Sequence, residues 1–550
     1  MGSRVRVKVS GRRLKGFVTA VFEADEKRKL LKIEGVSGDI PSFDEEMLST
    51  LRWAALHYVT PLSVLLKRTV PPNVPKRPTP DSVESSPKGD RQPASSEKLY
   101  HIGSPPYGVS VAGAIRNVAA SGANIAVIAP SAIEIRDIAD HLTTIYGDRV
   151  VRATSSMSGS EVTDSWTRMA TGLGTILVGT RETMFWPFGI VGLVIIVEDG
   201  RRVMRSPGTP TLNVRDVIVQ RSTIEQFPLE FFGPVPTLEA IAMGASIVEP
   251  TQRQWPMVEV VDRGEEPPGA AVLTERVKSA IRGAVASKSP VFVLVGSRGY
   301  APAFRCVACG EIRRCVNCSS AASLDDTCRR CGADLGGCTN CGAGRFQALG
   351  AGIGRIIDDI SGVVGQDTVG RPEDDRLVTV GTERDLIGVH DMGLSVAVDI
   401  DGFTMAPHYR AAEDGLRLLV RLAQTVKKGS GSRCVIQTAD PKQPVIAALV
   451  HGRSQDFLLT ELASRRRFGF PPVGSLIAIE TDDLHDTGEM LLEAVAPHAS
   501  VLGPAKVGER MRWLIQDRDL SAARLALRPV VSALRGKGAK VRVDVDPIDL

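Results

Sequence analysis

Eight of the nine cysteines in this chain lie between Cys306 and Cys341, as four C-x-x-C pairs spaced C-x2-C-x5-C-x2-C-x9-C-x2-C-x6-C-x2-C. A C-x-x-C puts two thiolates on one tight turn, where both reach a single tetrahedral ion. Eight ligands make two four-thiolate sites. With no open position left for water, the expected ions are two structural Zn2+ rather than catalytic ones. An iron–sulfur cluster or redox disulfides are the competing readings, the latter disfavoured in a reducing compartment. The segment has too few large apolar residues for a core of its own, so metal stands in for one. Spacing leaves open which pairs share an ion. The ninth, Cys434 in the apolar CVIQT, reads as a buried bystander.

The elements around this module are those of a multidomain α/β protein. At 550 residues and 43% hydrophobic content, the chain is expected to form roughly three to five domains. The longest apolar run, Phe188 to Val197, is about half a membrane-spanning helix, and MGSRVRVKVSG lacks a signal-peptide core. The expectation is a cytoplasmic protein with no membrane partner. Net charge is only +4, yet residues 1–32 hold ten Lys/Arg against three Asp/Glu, a hint of a nucleic-acid partner.

Alternating VRVKV, GFVTAVF and KLLKIEGV predict a small β-rich domain over 1–70, with helix over 44–68. Residues 71–97 collapse into Pro, Ser, Lys and Asp and read as a disordered linker. Over 98–270, apolar strands NIAVI, TILVG and GLVIIV between helical stretches predict a parallel sheet covered on both faces. A second such lobe is expected over 271–470, with strands VFVLVGS, LVTVGT, LSVAVDI and CVIQTA and the cysteine module (305–342) inserted after the first of them. Residues 471–550 read as a small α+β domain. Two parallel lobes in tandem with a zinc insertion are the layout of a two-lobed nucleic-acid motor.

The segments SRGYAPAFRCVACGEIRRCVNC, LVGTRETMFWPFGIVGLVIIVEDG and ELASRRRFGFPPVGSL, with the C-terminal VLGPAKV, MRWLIQ and VRVDVDPIDL, resemble the PriA family of replication-restart primosomal proteins. RVRVKVSGRRLKGFV and LRWAALHYVTPLSVLLKRTVPP are similar to that family's N-terminal DNA-binding domain. The resemblance implies helicase-like lobes, binding to abandoned forks and to single-stranded/double-stranded junctions, and reloading of the replicative helicase. It implies as partners the primosome proteins, the helicase loader and single-stranded DNA-binding protein. It also implies nested zinc sites: Cys306, Cys309, Cys338 and Cys341 on one ion, Cys315, Cys318, Cys328 and Cys331 on the other.

The motor parts of the resemblance are replaced. Where the family has a phosphate-cradling loop the chain reads YHIGSPPYGVSVAG, in which Pro105 and Pro106 remove amide donors. No Lys occurs between Lys98 and Lys278, so the first lobe has none to reach a terminal phosphate. The acidic D-E-E-H box becomes Glu198-Asp199-Gly200-Arg201, and the G-S-A-T-P motif becomes Gly233-Pro234-Val235-Pro236-Thr237. The arginine-bearing Q-V-A-G-R-A-G-R becomes Leu422 to Gly429, LAQTVKKG. The chain is therefore expected to act without ATP-driven unwinding and to hold no catalytic or nucleotide-binding residues. An active 3′-to-5′ helicase and a zinc-ribbon adapter with no DNA role are the alternatives. The family's first, F-D-Y-containing strand and its winged helix are also expected to be missing.

DNA contacts are expected from Arg4, Arg6, Lys8, Arg12, Arg13 and Lys15, from Arg313, Arg314, Arg329 and Arg330 in the zinc module, and from Arg465, Arg466 and Arg467. Such groups bind phosphates, weakly selective for sequence and steeply salt-dependent. With 5% aromatic residues, base stacking is expected to be minor; Trp513, Tyr300 and Phe304 are the candidate exceptions, with core packing the default for each. Gly179, Thr180 and Arg181, with Gly381 and Thr382, are read either as backbone contacts or as turn formers. His390 with Asp391 reads as a hydrogen-bonded structural pair.

Overall fold

The computed structural model describes residues 1–23, 31–76, 97–265, 272–296, 303–316, 327–328, 333–349, 353–406, 408–429, 431–482, 486–507 and 510–548. They form two compact units, Met1–Gly233 with Gly244–Glu249, and Pro234–Met243 with Pro250–Leu550.

The first unit opens with β1 (Arg4–Val9), β2 (Arg12–Phe17) and β3 (Ile33–Ser37), an antiparallel sheet in the order β2-β1-β3. The β1–β2 loop is Ser10-Gly11, with φ of 45° and 79°. Positive φ at both positions gives the turn whose twist matches the flanking strands. Helix α1 (Glu45–His57) starts on Asp44, whose carboxylate accepts from the Met47 amide at 2.8 Å. α2 (Leu62–Leu66) follows. These helices are joined to what comes after them: the Tyr58 hydroxyl accepts from the Asn213 amide at 3.1 Å, and the Trp166 indole donates to the Thr69 carbonyl at 2.9 Å. The Asn73 amide reaches Thr163 Oγ1 at 3.2 Å. The linker expected from residue 71 thus begins with packed residues, and 77–96 lie outside the described ones.

The parallel sheet of this unit has seven strands: β4 (Lys98–Ile102), β5 (Asn124–Ile128), β6 (Val150–Ala153), β7 (Ile176–Gly179), β8 (Val191–Val197), β9 (Leu229–Gly233) and β10 (Ser246–Val248). Their order is β10-β4-β9-β8-β5-β7-β6. Helices α3 (Gly108–Ser121), α4 (Ala132–Tyr146), α5 (Gly159–Thr171) and α6 (Val214–Glu225) connect them. Ser131 and Ser158 cap α4 and α5. Ile125, Val127, Ile176, Val178, Leu193, Ile195 and Val197 fill the core under α3 and α4. Asn124, fully buried, is satisfied by donating to the carbonyls of Met169, Gly172 and Phe188 and accepting from the Thr175 amide.

The second unit contains α7 (Leu238–Ala242), β11 (Val258–Asp262), α8 (Glu275–Ala286), β12 (Val291–Leu294), the antiparallel pair β13 (Ala303–Cys306) and β14 (Phe346–Leu349), α9 (Ile353–Val364), β15 (Val369–Gly370), β16 (Val378–Gly381) and β17 (Leu394–Ala397). It continues with α10 (Asp401–Thr404), α11 (Ala411–Gln424), β18 (Arg433–Thr438), α12 (Pro444–His451) and α13 (Ser454–Phe468). The parallel sheet runs β11-β18-β17-β12-β16-β15. Because β11 pairs with β18 along Val258–Asp262, this lobe starts ahead of residue 271, where the sequence places its boundary. β12 is central, so the β13–β14 insertion leaves from the middle of the sheet. A last antiparallel sheet, β20-β21-β19-β22, is built from β19 (Ser475–Thr481), β20 (Ser500–Val507), β21 (Arg510–Asp517) and β22 (Arg542–Val545), with α14 (Thr487–Ala494) and α15 (Ser521–Gly536). Among the described residues, no helix is long and apolar enough to cross a membrane.

Candidate metal centre and nucleic-acid interface

The structure brings together Cys306, Cys309, Cys338 and Cys341, their sulfurs all within 4.8 Å of one another. Cys306 Sγ lies 3.5 Å from Cys341 Sγ, and Cys309 Sγ 3.5 Å from Cys338 Sγ. A tetrahedral ion bound at about 2.3 Å sets its sulfurs about 3.8 Å apart, so the cage fits a metal ion. Two matched turns present the ligands: Gly310 N donates to Cys306 O at 2.9 Å and Gly342 N to Cys338 O at 2.8 Å. Both glycines have positive φ, 76° and 75°. The pattern C-x-x-C-G carries that signal in the sequence.

The thiols are unequal without an ion. The Glu311 amide holds Cys309 below the ordinary thiol range. Cys341, although the Ala343 amide pulls it down, is pushed up to about 12 by the thiols of Cys309 and Cys306. Further negative charge in this cage needs a cation. Of the second expected set, Cys315 and Cys328 are buried, while Cys318 and Cys331 lie outside the described residues. The Cys328 amide donates to Ala333 O at 2.7 Å, as the Cys338 amide does to Ala343 O at 2.8 Å. Cys434 is buried in β18, and burial raises its thiol to about 12.

The expected DNA contacts separate. In the β1–β2 register Arg6 faces Lys15 and Lys8 faces Arg13, with Arg4 opposite Phe17, so five cations share one sheet face. Arg12 pairs with Val9 and belongs to the opposite face. Arg314, Arg466 and Arg467 are exposed, whereas Arg313 and Arg465 are not at the surface. The Arg313 side chain donates to Leu335 O and Gly336 O and lies over the Phe346 ring at 4.6 Å, bracing the metal module. Arg465, 2% exposed, pairs with Glu413 at 2.8 Å and Glu461 at 3.1 Å. Glu413 also bonds Arg417 at 2.9 Å and lies 3.6 Å from Arg410, which in turn holds Glu239 at 2.6 Å. Burial alone would raise the Glu413 carboxyl, but Arg410 and Arg465 outweigh it and hold it below the usual carboxylate range. Arg329, Arg330 and Tyr300 lie outside the described residues. Phe304 and Trp513 are buried.

At the end of β8, Glu198 and Asp199 are buried. The Tyr107 hydroxyl donates to Glu198 at 3.1 Å, and Arg201 lies 3.6 Å from Glu198 and 2.6 Å from Glu134. Arg215 from α6 bonds Asp199 at 3.2 Å. Sequence reading identified the carboxylates but not Tyr107 or Arg215, which lie about ninety residues before and sixteen after their partners in the chain.

In the second unit the replaced stretch Leu422 to Gly429 closes α11, and Thr425 Oγ1 bonds Ser395 Oγ at 2.7 Å. Gly179 and Gly381 each sit where a Cβ would strike a following side chain, Thr183 at 2.5 Å and Asp385 at 2.9 Å. Both therefore serve the turns after their strands. Arg181 donates to Val203 O at 2.7 Å, and Thr382 is bonded to Asp385. His390 Nδ1 lies 2.8 Å from Asp391 Oδ2, both exposed.

Two family models match the ends of the chain: the 3′DNA-binding domain (3′BD) of PriA over residues 1–71, and the Primosomal protein N C-terminal domain over residues 466–548. A replication restart protein PriA of Synechocystis sp. is 23% identical over 494 residues, 78% of this chain and 59% of the relative. The chain thus spans under two thirds of that relative's length. One from Treponema pallidum is 24% identical over 92% of this chain and 88% of its own length. Among solved structures, RecG bound to a three-way DNA junction aligns over 68% of this chain and 47% of its own, at 13% identity and a TM-score of 0.37. A family model at each end and relatives over most of its length make the chain similar to the replication restart proteins of the PriA family.

Proposed function

We propose that this chain is a replication-restart factor that binds forked or branched DNA and supports primosome assembly and reloading of the replicative helicase, without turning over ATP. The observation that carries the non-motor part is the state of Glu198 and Asp199. A hydrolysing lobe offers such strand-end carboxylates to Mg2+, whereas here Tyr107, Arg201 and Arg215 engage them internally. DNA binding is supported by the match of residues 1–71 to a 3′DNA-binding domain and by the cations on that domain's sheet. Two structural zinc ions complete the reading, one on Cys306, Cys309, Cys338 and Cys341, the other on Cys315, Cys318, Cys328 and Cys331. Partners are the primosome proteins, the helicase loader and single-stranded DNA-binding protein.

The test is ATP turnover by purified protein with and without single-stranded DNA, alongside forked-DNA binding at two salt concentrations. Turnover should stay at background, and binding should be present at low salt and fall steeply as salt rises. Brisk DNA-stimulated hydrolysis would restore the helicase reading. Negligible affinity at low salt would favour a zinc-ribbon adapter.

A further inference from the structure

We propose that the cage of Cys306, Cys309, Cys338 and Cys341 is a site of oxidation by hydroperoxides, in which Cys309 and Cys341 are the attacked sulfurs and Cys338 and Cys306 close on them as two disulfides between the turns. This rests on the metal reading above and concerns what the same four residues do as the ion leaves.

The four sulfurs fall into two close pairs, each with one exposed and one buried member. Cys309 is exposed and lies 3.5 Å from the sulfur of Cys338, which is 4% exposed; Cys341 is exposed and lies 3.5 Å from that of Cys306, which is 1% exposed. Both contacts run between the two C-x-x-C turns rather than within one. A disulfide holds its sulfurs about 2.0 Å apart, so each pair closes by about 1.5 Å. The turns themselves are fixed by backbone: Cys306 N donates to Glu311 O and Cys338 N to Ala343 O, both at 2.8 Å. Bridges between the turns leave those bonds in place. Cys306 also ends β13, where it stands opposite Phe346 of β14. A Cys306–Cys341 bridge therefore closes the module through two of the ligands the ion would use.

Exposure divides the roles. Metal binding keeps all four sulfurs deprotonated, so access decides which is attacked first. The Cys309 thiolate takes the outer oxygen of the hydroperoxide; the O–O bond breaks, an alcohol or water leaves, and the sulfur becomes a sulfenic acid. The Cys338 thiolate then attacks that sulfur, the S–O bond breaks, and the hydroxide leaves as water once protonated. Cys341 and Cys306 repeat the sequence with a second hydroperoxide. Each round oxidises two thiols by two electrons and reduces one hydroperoxide by two, with protons drawn from the thiols or, where these were metal-bound, from solvent. A disulfide sulfur is no longer an anionic ligand, so the ion is released.

The test treats the full chain with hydrogen peroxide, caps free thiols with N-ethylmaleimide and maps the tryptic peptides by mass spectrometry. Trypsin leaves Cys306 and Cys309 on one peptide, 306–313, and Cys338 and Cys341 on another, 331–345. Bridges between the turns join the two peptides, whereas bridges within a turn do not. The joined species should exceed the within-turn products several-fold, with fragmentation placing the bonds at Cys309–Cys338 and Cys306–Cys341. Metal release, followed with a chromogenic chelator, should rise in step with joining, and dithiothreitol with Zn2+ should reverse both. Cys309→Ser should leave Cys338 open to capping while Cys306–Cys341 still forms. Cys338→Ser should leave Cys309 as a sulfenic acid that dimedone labels. The map of the parent stands whether or not these variants fold. Mainly within-turn bridges, dimedone on Cys306 or Cys338 ahead of their partners, or Cys338 lost to capping in Cys309→Ser overturns the assignment. Metal retained without any bridge overturns the proposal and leaves the metal reading standing. A purified parent that holds no metal yet forms both bridges overturns the metal reading and leaves the paired sulfurs standing.

Discussion

A single carboxylate organises much of the second unit. Glu413 is fully buried among Arg410, Arg417 and Arg465, and its second role is to accept from the Leu238 amide at 3.2 Å. Glu413→Gln would leave three buried guanidinium groups short of one negative charge. The expected cost is about 3–5 kcal/mol, read as a lower midpoint in urea for this unit. Because the folded-state carboxyl is held below its ordinary value, its stabilisation is present above about pH 4.3 and is lost as pH falls through the folded value. Melting temperature should therefore drop on acidification below that point, and the drop should be smaller in Glu413→Gln. At the cysteine cage, Cys306→Ser or Cys341→Ser should release one equivalent of metal, measured by elemental analysis, and acid should release it from the parent as thiolates take up protons.

Elements carry the next scale. The turns that aim the thiolates depend on Gly310 and Gly342, which have positive φ and no atom within 4 Å of a built Cβ. Substitution there meets no clash and costs only conformation. Gly310→Ala with Gly342→Ala should cost about 1–2 kcal/mol at each position, seen as weaker metal retention against a chelator. At this scale the sequence was most readable where one period dominates: β5, β7, β8, β12, β16, β17 and β18 stand where their apolar runs put them. β4, β6 and β9 were not legible because KLYHI, VVRA and LEFFG mix polar residues into short strands whose burial is decided by the sheet. Spacing made a metal module visible, and the family resemblance implied the set Cys306, Cys309, Cys338 and Cys341 that the structure brings together. The fate of Arg313 and Arg465 was not visible, since a charge run reads the same whether it faces water, backbone carbonyls such as those of Leu335 and Gly336, or a buried carboxylate some fifty residues away in the chain.

On the scale of the molecule, a family-model match ending at residue 71 does not mark a folding boundary. α1 packs on α6 through Tyr58, which also donates to Asp216 at 3.3 Å, and Trp166 ties α5 to Thr69. A fragment of residues 1–76 should therefore protect its amides from hydrogen exchange less well than the same residues in the full chain. Trp166→Phe should destabilise the first unit by about 1 kcal/mol, with thermal melting as the readout. The pairs at the end of β8 bear on how such a chain changes over generations. Replacing Asp199 alone takes a buried carboxylate from Arg215, and replacing Arg215 alone takes a buried guanidinium from Asp199. Drift at these positions must proceed by coupled exchange, so 199 with 215, and 134 with 201, should covary among descendants that keep this lobe folded.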